Sequence, residues 1–288
     1  MIPGHFTYHR PTTLADAVAL MASLGDDARP LAGGHSLIPM MKLRLAAPEH
    51  LIDLRRIAAL KGVRRDADSL VIGAMTTQHD LLASDEIAAA LPILQEAARL
   101  IADPQVRYMG TVGGNLANGD PGNDMPALMM TLGASYRLES TSGVRDVAAA
   151  ESYQGAYATA LEPGEILTAI TVPAPPAGHG HAYEKLKRKV GDYATAAAAV
   201  VLTMSGGRVA SCRIGLTNLA DTPLLAEAAA HAVIGTSLDA AALTRAAAAA
   251  RAIMTPAGDG RGPPEYRSYV GGIMVQRALV RAAARAKK

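Results

Sequence analysis

The sequence predicts an α+β protein: two α+β units, then a smaller antiparallel sheet backed by helices. Three observations point there. Short β-like runs alternate with capped helical stretches through the first 176 residues. A proline- and glycine-rich stretch, PAPPAGHGH at 173–181, then breaks the pattern as a linker does. Beyond it, two β-like runs flank Gly206-Gly207 and give way to alanine-rich stretches of good helix formers. The expected units are 1–54, 55–176 and 177–288.

Each element has its own signal. HFTYHRP (5–11) reads as a short strand ended by Pro11. In TTLADAVALMASLGDD (12–27), Thr13 and Asp16 make a capping pair before apolar residues at helical spacing, and Gly25 stops the helix. ARPLAG (28–33) and HLIDL (50–54) supply two more brief strands. SLVIGAMTTQHDLLAS (69–84) pairs a strand with a capped helix, and EIAAALPILQEAARLIA (86–102) is helical with Pro92 near its start. ASYRLES (134–140), GVRDVAA (143–149) and ILTAITVP (166–173) are the strands of the second unit. In the third, AYEKLKRK (182–189) and TAAAAVVLTMSGGRVASCRIGLTNL (195–219) form a β-meander, with Gly206-Gly207 as a two-residue hairpin turn. Helices are expected at about 238–252 and 266–286. No repeat of 20–50 residues is visible.

Composition removes several function classes. The apolar runs fall short of the ~20 residues that cross a bilayer, so no transmembrane segment is expected. The start, MIPGHFTYHR, has no apolar signal core, which leaves a cytoplasmic protein as the expectation. A single cysteine, Cys212, makes no intramolecular disulfide and no thiolate cage for zinc or an iron–sulfur cluster. A net charge of +2, no Trp and one Phe argue against nucleic acid as a partner.

Two glycine pairs carry the functional signal. Ala32-Gly33-Gly34-His35-Ser36 and Thr111-Val112-Gly113-Gly114-Asn115 share small residues, a glycine pair and a flanking hydroxyl or amide. Each alone reads as an ordinary turn. Glycine also admits positive φ and lets successive backbone N–H groups reach an anion. Facing one cleft, two such loops would hold a pyrophosphate from both sides. No G-x-G-x-x-G and no G-x-x-x-x-G-K-[ST] occurs, so neither the doubly wound dinucleotide fold nor an NTPase is indicated. A dinucleotide held outside those folds points toward FAD.

LAGGHSLIPMMKLRL (31–45) and GTVGGNLANGDPGNDMPALMM (110–130) resemble the two FAD-binding motifs of the flavoprotein subunits of molybdenum hydroxylases. Those subunits belong to the vanillyl-alcohol-oxidase and molybdopterin-dehydrogenase FAD family. The likeness runs through nearly the whole chain: F-x-Y-x-x-P at 6–11, EILTAITVP at 165–173, and K-x-x-R-x-x-x-D-Y-A at Lys185, Arg188, Asp192, Tyr193 and Ala194. The form with His35 is most similar to the medium subunits of aerobic carbon monoxide dehydrogenases, where related subunits carry Thr or Asn.

The resemblance implies a vanillyl-alcohol-oxidase-type fold and these roles. Ala32, Gly33, Gly34, His35 and Ser36, with Thr111, Val112, Gly113, Gly114 and Asn115, would bind the FAD pyrophosphate. Asp124 would contact the ribityl–phosphate region, a role compatible with capping the helix that follows. Leu167 would pack on the cofactor, Tyr193 would lie near the isoalloxazine, and Lys185 is a further candidate. No residue of this chain would act on substrate. A large subunit with molybdopterin, molybdenum and copper would oxidise CO with water to CO2. A small subunit with [2Fe–2S] clusters would carry the electrons to this chain's FAD, and a quinone or similar acceptor would take them. The assembly implied is a dimer of heterotrimers, peripheral at the inner face of the cytoplasmic membrane. Gly33→Val and Gly114→Val are expected to abolish FAD retention with the fold largely intact, and Gly206→Ala to affect stability alone.

Other features are weaker. His5 and His9, near Pro11, suit a surface or partner-facing pair on a strand. His179 and His181 lie in the linker without acidic or Cys companions, so no metal site is expected. KLKRK (185–189) reads as a solvated strand or an interface, and Met40-Met41 and Met129-Met130 as core or interface filler. The rival readings are a self-sufficient FAD oxidoreductase, a non-enzymatic nucleotide-binding module, and the flavoprotein subunit of another molybdenum hydroxylase acting on an aldehyde, an N-heterocycle or an acyl-CoA.

Overall fold

Pro11 and the Thr13–Asp16 pair decide how the chain enters the fold. The structure is a computed structural model that describes residues 2–287. Strand β1 (Thr7–His9) stops before Pro11, and helix α1 (Leu14–Leu24) starts where the Thr13 hydroxyl accepts the Asp16 N–H at 3.1 Å. Gly25 ends it at φ +56°. Strand β2 (Ala28–Leu31), helix α2 (Leu37–Lys42) and strand β3 (His50–Asp53) follow. The three strands form a parallel sheet in the order β1-β3-β2, which requires the helical crossovers α1 and α2. α1 buries Ala17, Val18 and Met21 against Ile52 and Leu54.

The middle unit is built on strands β4 (Val63–Asp66) and β5 (Ser69–Gly73), joined later by β6 (Ser135–Ser140), β7 (Gly143–Ala148) and β10 (Ile166–Pro173). They make an antiparallel sheet in the order β4-β5-β10-β6-β7, with a small β8 (Tyr153–Gly155) and β9 (Ala158–Thr159) hairpin beside it. Between β5 and β6 run α3 (Gln78–Ala83), α4 (Asp85–Ala90), α5 (Pro92–Leu100), α6 (Pro104–Met109), α7 (Val112–Ala117) and α8 (Asp124–Leu132). The single helix expected over 86–102 is in fact α4 and α5. Pro92 lacks an N–H and forces Leu91 out of helical geometry, to φ −136° and ψ 53°. α6 was not expected; Asp103 caps it by accepting the Val106 N–H at 2.9 Å, with Pro104 in its first turn.

The third unit is an antiparallel sheet, β11 (Gly180–Leu186), β12 (Ala196–Ser205), β13 (Arg208–Thr217) and β14 (Leu224–Leu225). Gly206 and Gly207 sit at φ +56° and +76° between paired Ser205 and Arg208, the hairpin turn that was expected. α9 (Glu227–His231), α10 (Ala240–Arg251) and α11 (Pro264–Arg285) follow. Ala246 and Ala250 on α10, with Val275, Leu279 and Ala282 on α11, are buried with Ala198 and Val200 of the sheet. The opposite face contributes Tyr183, Ala197 and Ala199 to the core that holds Leu94 of α5 and Leu128 of α8. That shared core brings the residues of β11 to the edge of the middle unit.

Candidate binding cleft

A cleft of about 690 Å³ opens where the three units meet, within the ~300–1,000 Å³ in which organic ligands are held. Of the predicted residues, Ala32, Gly33, Gly34, His35, Ser36, Thr111, Gly113, Gly114, Asn115, Asp124, Leu167, Lys185 and Tyr193 line it. Val112 does not: it is fully buried and its N–H donates to Thr76 O at 2.9 Å.

The first glycine segment is a turn of the expected kind. It leaves the end of β2, takes Gly34 at φ +77°, and enters α2 with Gly34 O accepting the Ile38 N–H. Among the described residues, no acceptor takes the N–H groups of Gly33, Gly34, His35 or Ser36. These four residues line the cleft, and unpaired N–H groups in succession are of the kind that suits an anion. The His35 side chain is exposed.

The second segment differs from expectation. It is no turn but the first turn of α7, capped by the Thr111 hydroxyl, which accepts the Gly114 N–H at 3.0 Å. Gly113 N–H donates to Ala74 O and Asn115 N–H to Thr111 O. No nest of free donors forms there, because the helix, its cap and the turn after β5 already use the N–H groups of Val112 to Asn115. Its glycines serve close approach instead. A Cβ on Gly113 would lie 2.5 Å from Ala74 Cβ, and one on Gly114 2.8 Å from Thr111 Oγ1 and 3.3 Å from Ala32 Cβ. A Cβ on Gly33 would lie 2.2 Å from Met109 O. The first segment therefore packs on the second and on the residues just before it: Gly114 faces Ala32, and Gly33 faces Met109 and Gly110.

Asp124 and Lys185 form a buried ion pair at the cleft floor. Their side chains are 5% and 1% exposed, and Lys185 Nζ lies 2.7 Å from Asp124 Oδ2. The Tyr183 hydroxyl donates to Asp124 Oδ1 at 2.6 Å, and burial followed by the Asp124 charge pushes the Tyr183 pKa well above its ordinary range. Asp124 is thus the first residue of α8, not its cap; Asn123 holds that position. The solvated reading of KLKRK fails for Lys185, and Lys187 donates to Leu100 O at 3.0 Å. Leu167 reaches the cleft from a bulge in β10. Tyr193 stands over Gly122, with the Arg261 guanidinium 5.6 Å from its ring centroid. Arg188 and Arg261 both pair with Asp192, at 2.7 and 3.2 Å, which fixes the segment before Tyr193. The Arg188 hydrogen bond lowers the Asp192 pKa.

The family model described as the FAD-binding domain in molybdopterin dehydrogenase matches residues 4–175. The chain belongs to this family. A second model, the CO dehydrogenase flavoprotein C-terminal domain, matches residues 181–282. The carbon monoxide dehydrogenase medium chain of Afipia carboxidovorans is 66% identical over 287 residues, covering 100% of both chains. That of Hydrogenophaga pseudoflava is 52% identical over 285 residues, covering 99% of each. A solved structure of reconstituted CO dehydrogenase from Oligotropha carboxidovorans includes a chain 66% identical to this one, with a TM-score of 0.98, over 99% of this chain and 100% of that one.

The residues present fit FAD. The free N–H groups at 33–36 suit its pyrophosphate, and the Lys185 charge offsets Asp124, so the floor does not repel a diphosphate. Among the lining residues that the sequence reading does not single out is Gln78, only 2% exposed, whose two amide atoms find no partner among the described residues. Its only local signal is its place after the Thr77 cap. His9 contacts His50 across β1 and β3 at 3.2 Å, and among the described residues no group of three or more His, Cys, Asp or Glu side chains is placed to hold a metal ion. Of the methionines read as core or interface filler, Met41, Met129 and Met130 are core and Met40 is partly exposed. Burial pushes the Cys212 thiol up to about 12, which disfavours the thiolate. No helix among the described residues is long and apolar enough to cross a membrane.

Proposed function

We propose that this chain is the FAD-carrying electron-transfer subunit of an aerobic carbon monoxide dehydrogenase. It would take electrons from [2Fe–2S] clusters of an iron–sulfur small subunit, while a molybdopterin large subunit with molybdenum and copper oxidises CO with water to CO2. The observation that carries the reading is the meeting of the two glycine segments on one cleft, one of them with four free N–H groups. The full-length likeness to the two medium chains supports the choice of CO dehydrogenase.

Bound FAD supplies the passage between one-electron and two-electron chemistry. Gly33, Gly34, His35 and Ser36 would hold its pyrophosphate through backbone donors, and Thr111, Gly113, Gly114 and Asn115 would form the facing wall. Val112 would serve that wall only by anchoring it in the core. Asp124, neutralised by Lys185, would orient the ribityl region, and Leu167 and Tyr193 would border the ring. No group of the chain is assigned to proton transfer on substrate. We further assign residues 1–54 and 55–176 as the two FAD-holding units and 177–288 as the unit that supplies Lys185 and Tyr193. A dimer of heterotrimers, a quinone acceptor and a peripheral place at the cytoplasmic membrane complete the reading.

Purification from the native source, with an optical spectrum, metal analysis and CO-dependent dye reduction, tests it. The expected result is a flavin spectrum co-purifying with iron, molybdenum and copper in a complex that reduces dye with CO. A yellow, metal-free monomer that turns over an organic substrate by itself would overturn it.

A further inference from the structure

Two glutamines are buried in the middle unit, and they differ in one respect. Gln95, 8% exposed, donates its amide to Leu81 O, Leu82 O and Ser84 O at 3.1–3.2 Å, tying α5 to the end of α3. Gln78, 2% exposed, has neither amide atom paired among the described residues. A buried amide without partners destabilises a fold, and a Met or Leu of similar size would remove that cost. The sequence keeps glutamine where the folded chain alone gains nothing from it.

Its position is well defined. Gln78 lines the cleft, and its backbone N–H donates to Gly110 O at 2.9 Å. Thr77, which caps its helix, is bridged to Thr111, the cap of the second glycine segment. Gly110 in turn underlies Gly33, whose Cβ would come within 2.9 Å of Gly110 Cα. Gln78 therefore sits beside the junction of the two glycine segments. A primary amide offers donors and an acceptor together. A phosphate oxygen satisfies only the donors, and the free N–H groups at 33–36 already face that need. A hydroxyl satisfies both halves of the amide.

We propose that Gln78 is a binding residue for a hydroxyl of the sugar or polyol that flanks the pyrophosphate. The inference rests on the reading of the cleft as an FAD site. Q78M and Q78L are compared with wild type in two measurements. FAD is titrated back into the flavin-stripped complex, and the flavin-free full chain is melted. The expected result is FAD binding weakened roughly tenfold or more in both variants, with the flavin-free melting temperature unchanged or raised. Repeating the titration with ADP locates the contact: a parallel loss places it on the adenosine ribose, and an unchanged ADP affinity on the ribityl chain. Undiminished FAD binding overturns the proposal, as does a fall in flavin-free melting temperature in both variants, since Gln78 would then be structural. Failure of the wild-type complex to take up FAD instead overturns the reading of the cleft.

Discussion

Replacing Lys185 by Met tests whether the cleft floor is held by charge. The Lys185 ammonium and the Asp124 carboxylate are 1% and 5% exposed and 2.7 Å apart, so water contributes almost nothing to either. In the variant, Asp124 keeps only the Tyr183 hydroxyl and the start of α8 for company. Leaving one member of a buried pair alone costs about 3–5 kcal/mol. Unfolding entropy of ~2.1 cal/mol/K per residue gives the whole chain a slope near 0.6 kcal/mol per degree, so the melting point should fall by roughly 5–8 °C. The double variant Lys185→Met with Asp124→Leu removes the stranded charge and should recover most of that loss. The assay is thermal unfolding of the flavin-free full chain for wild type, both singles and the double. A single-variant cost below about 1 kcal/mol, or a double variant as unstable as the two singles added together, would refute a desolvated pair.

The remaining expectations concern glycines and a histidine. Gly33→Ala should lose FAD and also destabilise the chain by about 1–3 kcal/mol, because its Cβ would meet Met109 O at 2.2 Å and push one cleft wall off the other. The close contact thus adds a stability cost to the expected loss of FAD; flavin loss at an unchanged melting point would refute that added cost. Gly206→Ala, at φ +56° with nothing within 4 Å, should cost about 1 kcal/mol and leave flavin content untouched, both readable in one melting and absorbance series. His181 is held at a pKa of about 4 by burial first and by Arg285 second, against an ordinary 6.5. Its unfolded form binds the proton first, so the stability it contributes is present above pH ~6.5 and is lost as pH falls toward 4. His181→Asn should flatten that part of a melting-versus-pH curve, and an unchanged slope would show that His181 does not cause it.

Much of the fold was legible because its signals are local. The Thr13 cap, the Gly25 stop, the Gly206-Gly207 hairpin and the strands β6 and β10 depend on neighbours a few residues away, and each stands where the sequence places it. Short polar pieces were not legible. β4 carries one partly buried residue, Val63, followed by three exposed ones, so it has no apolar period to detect. The division of 86–102 at Leu91 was signalled by Pro92, but helical periodicity on both sides masked it. Lys185 was misread for a different reason. A lysine in KLKRK looks solvated until the fold brings Asp124, 61 residues away, to its tip.

The glycine pairs show where local reading ends. Of the four glycine pairs in the chain, the three outside the long helix α11 look alike in sequence, and the structure gives them three physical reasons. Gly206-Gly207 needs positive φ at both residues and meets nothing. Gly33-Gly34 needs positive φ only at Gly34, while Gly33 is bare because Met109 O would fall 2.2 Å from its Cβ. Gly113-Gly114 needs no positive φ at all and sits in a helical turn against Ala74 and Ala32. Conformation is a property of the segment, so the hairpin could be read from its flanks. Close approach is a property of two segments some 80 residues apart, and neither sequence contains it. The resemblance to flavoprotein motifs located the pair without saying how it works. The geometry divides the work unequally: one segment offers the free donors, and the other uses up its own donors to hold the wall that faces them.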